Sequence, residues 1–286
     1  MPIRTSKSVS HNIDELEDHT LPTLTVGIPF HNGSNVNHLK TAIDSIIEQS
    51  LSPDVIHLLQ DGPVSDLHTE LIGEYKKKVP NVIHLKTEKN SGLPTILNLS
   101  ILNSNTKYYA RMDGDDISVN DRLLKQIGFL EKHQNVGIVG TWAYEFKEDI
   151  TNELFLKRMP VENAEMKKFF HYRSPFIHPS VIFRREIFSK IGIYNTEFYT
   201  SQDTELWARA LKKGIIVANI NEPLIYYRSV NVEKKRGSWK SVCRIAKAQF
   251  SYNTLSPMHN LLKIGSIVFR LLPNLVKKWC YDKLRD

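Results

Sequence analysis

The chain has 286 residues, which suits one large domain or a domain with an appendage. Its hydrophobic fraction of 41% and charged fraction of 24% are those of a globular protein. No run of about 18 uncharged apolar residues occurs, which argues against a transmembrane helix, and the two cysteines, Cys243 and Cys280, lack CxxC or zinc spacing, which fits a reducing, cytosolic setting.

Residues 1–22 read as a polar tail without the apolar core of a secretory signal. "LTVGIPF" follows as a buried strand, and Leu39, Ala42, Ile43, Ile46 and Ile47 then recur at helical spacing. "DVIHLLQDG" is a second strand ending in a turn, residues 66–78 a polar helix, and "NVIHLKT" a third strand. "LPTILNLSILNS" predicts a helix and "KYYARMD" a fourth strand. "NDRLLKQIGFLEKH" predicts a helix capped by Asn120, and "VGIVGTWAYEF" a fifth strand. Strands alternating with helices at this spacing indicate βαβ units and a parallel sheet, whose ligands bind at the carboxyl ends of the strands. Four polar clusters follow strands: His31-Asn32, Gln60-Asp61-Gly62, Asn90-Ser91-Gly92, and Asp113 to Asp116. The second half is less regular. "NAEMKKFFHYR" reads as a helix, "HPSVIFRREIFSKIG" as a strand and short helix ended by Gly192, and "DTELWARALKKG" as a helix with Asp203 near its start and Gly214 as its stop. "IIVANINEPLIYYRS" is strand material.

The net charge of +7 is unevenly placed: residues 234–286 hold twelve Lys/Arg and two acids, while the other 233 residues sum to −3. This asymmetry suggests an anionic surface as partner, a membrane or a nucleic acid. "HNLLKIGSIVFRLLPNLVKKWCYDKL" mixes large apolar residues with lysines and arginines, as basic segments lying on anionic membranes do.

"YYARMDGDDIS" places Asp113, Asp115 and Asp116 directly after an apolar strand. Such crowded carboxylates raise one another's pKa, so either the turn is simply solvated or a cation sits among them. Asp113 and Asp115, spaced i, i+2 about Gly114, suit a pair facing one hard divalent ion, Mn²⁺ or Mg²⁺, whose other positions go to water and a diphosphate. Arg111 lies two residues earlier on the same strand face.

At these motifs the chain resembles the family 2 inverting glycosyltransferases. "VGIPFHN", "LLQDGPV", "NSGLPTILN", "ARMDGDD", "DRLLKQIGFLE", "HPSVIFRREIFSKIG", "SQDTELWARAL" and "PLIYYR" match that family's segments in order from Leu24 to Arg228, and the nearest likeness is to bacterial enzymes that build surface polysaccharides. The resemblance implies an α/β GT-A fold, a Rossmann-like, mostly parallel sheet flanked by helices, over residues 23–230, with residues 231–286 as a helical, basic, amphipathic C-terminal extension. It implies transfer of a sugar from a nucleotide-sugar, a UDP-sugar foremost, to a glycan or lipid-linked glycan acceptor, by an enzyme peripheral at the inner face of the cytoplasmic membrane. Asp115 is then the metal ligand, with Asp113 supporting the ribose or the ion, and Asp61 meets the base. Pro29, Phe30 and Asn32 line the nucleotide pocket, partly by backbone, and Asn90 and Gly92 shape the turn beside it. Arg111 and Arg228 are candidates for the diphosphate, and Asp203 is the general base that takes the acceptor hydroxyl's proton. Three positions depart from the family: Gln60 replaces an acid before Asp61, the glycine turn lacks its usual arginine, and Gln202 stands where the family has Glu. Trp207 and His178 are read either as core or as acceptor contacts. Two alternatives belong to other classes. A nucleotidyltransferase also uses carboxylate-bound Mg²⁺ but usually shows a Gly-rich basic loop, where this chain has "HNGSNVNH". A nucleic-acid-binding protein using the basic tail would show salt-sensitive binding, and no recognition motif supports it.

Overall fold

A computed structural model describes residues 23–151, 153–199, 201–229, 239–253 and 256–272. The predicted N-terminal tail, the loop 230–238 and residues 273–286 lie outside the described residues. Four strands, β1 (Leu24–Phe30), β2 (Val55–Gln60), β3 (Val82–Lys86) and β4 (Tyr108–Arg111), pair in parallel in the order β3-β2-β1-β4. Parallel neighbours need crossovers, and α1 (Val36–Ile47), α2 (Asp66–Lys78) and α3 (Leu93–Leu102) supply them. Helix α1 shows why the sequence folds locally: Leu39, Ala42, Ile43 and Ile46 form its buried stripe, and the Asn35 side chain accepts from the amides of Asn37 and His38 at its start.

The second half comprises β5 (Ile117–Ser118), α4 (Arg122–Lys132), β6 (Val136–Phe146), β7 (Phe155–Lys157), α5 (Asn163–Phe169), a 3-10 turn at His178–Ser180, β8 (Ile182–Arg184), α6 (Ile187–Ile191), α7 (Gln202–Lys212) and β9 (Ile216–Arg228). They extend the sheet to β3-β2-β1-β4-β8-β6-β9-β5, with β7 on β6. The long strands pair in parallel, β6 with β9, whereas the short β5, β7 and β8 run antiparallel. Side chains alternating along the strands feed two apolar cores: Tyr108 and Ala110 enter one with α1, α2 and α4, and Tyr109 enters the other with α3, α6 and α7. Gly192 ends α6, as the sequence predicts. One cap is corrected: Asp121, not Asn120, holds the position before α4, and the Asn120 side chain donates to the Glu48 carbonyl because the α1–β2 connection passes beside it.

Two further helices, α8 (Trp239–Phe250) and α9 (Pro257–Leu271), follow. Helix α8 buries Val242, Ile245 and Ala248 and places the Lys247 ammonium 5.5 Å from the centre of the Phe198 ring. Tyr252 meets Phe170 edge-on at 5.8 Å, so this pair packs on the domain.

Candidate active site

Because β1 to β4 are parallel, the polar turns after them gather on one edge of the sheet. Asp61, just past β2, is buried. Its carboxylate accepts from the amides of Ser91 at 2.7 Å and Gly92 at 2.8 Å and from the Thr87 hydroxyl at 3.1 Å. It thereby fixes the turn that opens α3. Gly92 sits there at φ +88°, where side chains are strained, and a Cβ on it would fall 2.1 Å from the Tyr199 ring. The Tyr199 hydroxyl donates to the Asn90 side chain at 3.2 Å, which joins this turn to the loop before α7.

The acidic turn after β4 is built differently. Arg111 is 2% exposed, and its guanidinium forks onto both oxygens of Asp113, with Nη1 to Oδ2 at 2.8 Å. Gly114 lets the turn close against β1, since a Cβ there would lie 2.8 Å from the Pro29 carbonyl oxygen. Asp113, Asp115 and Asp116 each bring a carboxylate oxygen within 4.8 Å of the others. Asp116 is buried; Oδ1 accepts from the Arg228 amide at 2.8 Å, and Oδ2 has no partner among the described residues. Burial, then the neighbouring Asp113 charge, pushes the Asp115 carboxyl up to about 6 although the residue as a whole is exposed, and the same causes raise Asp116 well above the ordinary carboxylate range. Converging carboxylates, one oxygen unpartnered and two with raised proton affinity, fit a hard divalent cation. Beneath them lies Arg122, wholly buried, whose Nη1 donates to the carbonyls of Pro179 at 2.9 Å and Arg111 at 3.4 Å. It ties the acidic turn to the His178–Ser180 turn.

Asp203 is the second residue of α7, after Ser201 at the cap position. Its carboxylate is half-buried and among the described residues accepts only from the Thr204 hydroxyl, at 3.4 Å. It therefore does not cap the helix, the structural role its position would otherwise suggest. Tyr194 connects it to the acidic turn: this buried phenol lies within electrostatic reach of Arg111, Asp203 and Asp113. Both backbone groups of Tyr194 bond the Asn98 side chain at 2.8 Å, and its hydroxyl pairs with His178 Nε2 at 2.8 Å. Burial and the Arg111 charge push the His178 imidazole well below its usual range, so it is neutral. Trp207 is 1% exposed and stacks on Phe183 at 5.8 Å, which makes it core.

The expected residues thus divide. Asp113, Asp115, Arg111 and Pro29 meet at the acidic turn, and Asn90, Gly92 and Asp61 at the next one. Asn32 is exposed in the turn after β1. The Phe30 side chain packs in the core, 2% exposed, between the rings of His68 at 6.1 Å and His84 at 6.4 Å, which leaves its backbone for the pocket. Arg228 bonds the carbonyls of Asp115 at 2.9 Å and Glu148 at 2.7 Å and lies over the Phe146 ring, so its guanidinium holds loops together. Arg122, Tyr194 and Tyr199 were not predicted. No spacing signals them, because each joins the site through contacts distant in sequence.

Residues 25–192 match the family described as Glycosyl transferase family 2. The amylovoran biosynthesis glycosyltransferase AmsE of Erwinia amylovora is 31% identical over 267 residues, covering 91% of this chain and 98% of that protein. The UDP-Gal:alpha-D-GlcNAc-diphosphoundecaprenol beta-1,3-galactosyltransferase of Escherichia coli is 30% identical over 251 residues, 86% and 90% of the two chains. Among solved structures, S. aureus TarS 1-349 in complex with UDP superposes with a TM-score of 0.63 at 15% identity, over 86% of this chain and 70% of that one. Mannosyltransferase PcManGT from Pyrobaculum calidifontis, in complex with GDP-Man and Mn²⁺, gives 0.65 at 13%, over 88% and 72%. These two share the fold. With the family match spanning more than half its length, this chain belongs to glycosyl transferase family 2 and is a glycosyltransferase.

Proposed function

We propose that the protein transfers a hexose, with inversion, from a UDP-sugar to a lipid-linked glycan during bacterial surface-polysaccharide synthesis. The observation that carries this reading is the separation of two carboxylate sites: the crowded Asp113–Asp116 turn, suited to a cation, and the uncapping Asp203 carboxylate across Tyr194. Inverting transfer needs both. Asp203 takes the proton of the acceptor hydroxyl as that oxygen bonds the anomeric carbon and the nucleoside diphosphate departs from the opposite face. Asp115 and Asp116, with Asp113 held by Arg111, would hold Mn²⁺ or Mg²⁺, which supplies charge stabilisation to the leaving diphosphate when bound. Pro29, Asn32 and the turn at Asn90 and Gly92 border the nucleotide; Asp61 holds that turn through the Ser91 and Gly92 amides and keeps acceptor capacity for the base.

The donor and acceptor classes draw support from the relatives, one named for UDP-Gal and a diphosphoundecaprenol-linked GlcNAc and another for amylovoran biosynthesis. A UDP-bound fold neighbour and a Mn²⁺-bound one are compatible with the cofactor choice. A lipid-borne acceptor places the enzyme at the inner face of the cytoplasmic membrane, which the basic region 231–286 would contact, with residues 23–230 as the catalytic unit. No helix among the described residues is long and apolar enough to cross a membrane. Nucleotidyl transfer and nucleic-acid binding gain no support from the site.

The test is a donor screen. The protein is incubated with Mn²⁺, an undecaprenyl-diphosphate-linked GlcNAc acceptor and each common UDP-sugar in turn, and UDP release is followed. Release from one donor that stops on chelation supports the reading. Failure of UDP to bind in the presence of Mn²⁺ would overturn it.

A further inference from the structure

Helix α9 turns the wrong side to water. Its outward positions Met258, Leu261, Leu262, Ile264, Val268 and Leu271 are all apolar and between 40% and 63% exposed. Its inward stripe is polar: His259, Lys263, Ser266 and Arg270, spaced i, i+4, i+7 and i+11, are buried or half-buried. His259 stacks on His171 at 4.4 Å. Lys263 is fully buried and donates to the Tyr252 carbonyl and to the Asn253 side chain, the latter at 2.7 Å. Lys263 and His259 thus fix the helix in this rotation by specific contacts. An ordinary surface helix such as α7 does the reverse, burying Leu206, Trp207, Ala210 and Leu211. Exposed apolar side chains gathered along one helix face mark an interaction surface.

We infer that this face of α9 docks into the surface of an anionic phospholipid membrane. Charge selects the occupant. No Asp or Glu occurs between Trp239 and Leu272, and residues 234–286 carry twelve Lys/Arg against two acids. The stretch as a whole, though Lys263 and Arg270 of α9 point inward, would repel a second copy and be drawn to anionic headgroups. Length sets the orientation. Fifteen residues span about 22 Å, short of the ~30 Å hydrocarbon core, so the helix lies in the interface plane. Trp239, 67% exposed at the start of α8, adds a ring of the kind that settles at headgroup depth. Because α8 is packed on the catalytic domain, docking through α9 would hold the active site at a fixed attitude to the membrane. This deepens the lipid-linked reading of the acceptor, but its test does not use the reaction.

The full chain and a Leu261→Gln/Val268→Gln variant are sedimented with vesicles of phosphatidylcholine alone and of phosphatidylcholine mixed with phosphatidylglycerol. Both substituted positions face water, so the variant should melt like the parent and bind UDP with Mn²⁺ equally well. The parent should partition onto the phosphatidylglycerol vesicles more than onto phosphatidylcholine, and the variant should lose at least about tenfold in partition, the order expected for two aliphatic groups withheld from the interface. Equal partition of parent and variant overturns the inference. So does a parent that ignores vesicles and is a dimer that the variant splits, since the occupant would then be a second copy.

Discussion

Asp61 and Asp116 are both buried carboxylates just beyond the ends of parallel strands, yet their surroundings are opposite. Asp61 accepts from two amides and a hydroxyl, so most of its capacity goes into holding its turn. Asp116 accepts from one amide, leaves Oδ2 unpartnered, and shares its turn with two more carboxylates. A buried acceptor without a donor costs free energy, and crowded like charges add to the cost. The first carboxylate is largely committed to its turn; the second lies in a turn whose charge balance a cation would restore. Burial alone therefore does not identify a functional acid; the partners decide.

The largest effects should come from the unsaturated side. Asp115→Ala should lower transfer on the order of 10³-fold, because it removes the proposed cation ligand and not a structural contact. Its melting temperature should match or exceed the parent's, and calorimetry should show Mn²⁺-dependent UDP binding lost. Asp203→Asn should reduce kcat by roughly 10²- to 10⁴-fold with donor binding unchanged, as removal of a general base does. A comparable fall in donor affinity would instead place Asp203 among the binding groups. On the committed side Asp61→Asn should behave as a stability variant. The amide nitrogen would face a backbone N–H in place of an oxygen, at a cost of about 1–3 kcal/mol. For a chain of this size that lowers the melting temperature by roughly 2–4 °C per kcal/mol. Calorimetric unfolding distinguishes this from a variant that keeps its stability and loses only activity, which would break the comparison.

Much of the sheet edge around the acidic turn is legible in sequence because it rests on short-range signals. The β1 run, the α1 stripe and the i, i+2 spacing of Asp113 and Asp115 all lie within single elements. What was not legible depends on contacts across the chain. Strand β8 reads as a strand in the sequence, but its antiparallel place between β4 and β6 comes only from tertiary pairing. The bonds that Asp61 accepts come from Ser91 and Gly92, thirty residues away, so "QDG" reads the same whether or not the acid is engaged. Arg122 looks like an ordinary first-turn residue of α4 until Arg111 and Pro179 are found against it. Helix α9 illustrates the limit of periodicity itself: the pattern shows two faces but not which one meets the protein.

The smallest effect, and the one that sharpens the comparison most, is with pH. The Asp115 carboxyl stands at about 6, above the ordinary carboxylate value of about 4, because of burial and the charge on Asp113. A raised carboxylate pKa means that the folded chain favours the protonated form. Its contribution to stability is fully present below about pH 4 and is lost as pH rises through about 6. The chain without cation should therefore melt at a lower temperature at pH 7 than at pH 5, as far as this turn is concerned. Cation binding runs the other way, because a ligand carboxylate must be ionised. Mn²⁺ affinity should weaken as pH falls below about 6, on the order of tenfold per pH unit if one proton is exchanged. Adding Mn²⁺ at pH 7 should recover the melting temperature, and Asp115→Asn should flatten both profiles near pH 6, while Asp61→Asn should leave them in place. If Asp61→Asn moved the midpoint instead, the two carboxylate sites would be electrostatically one, and the division between scaffold and cation turn would have to be redrawn.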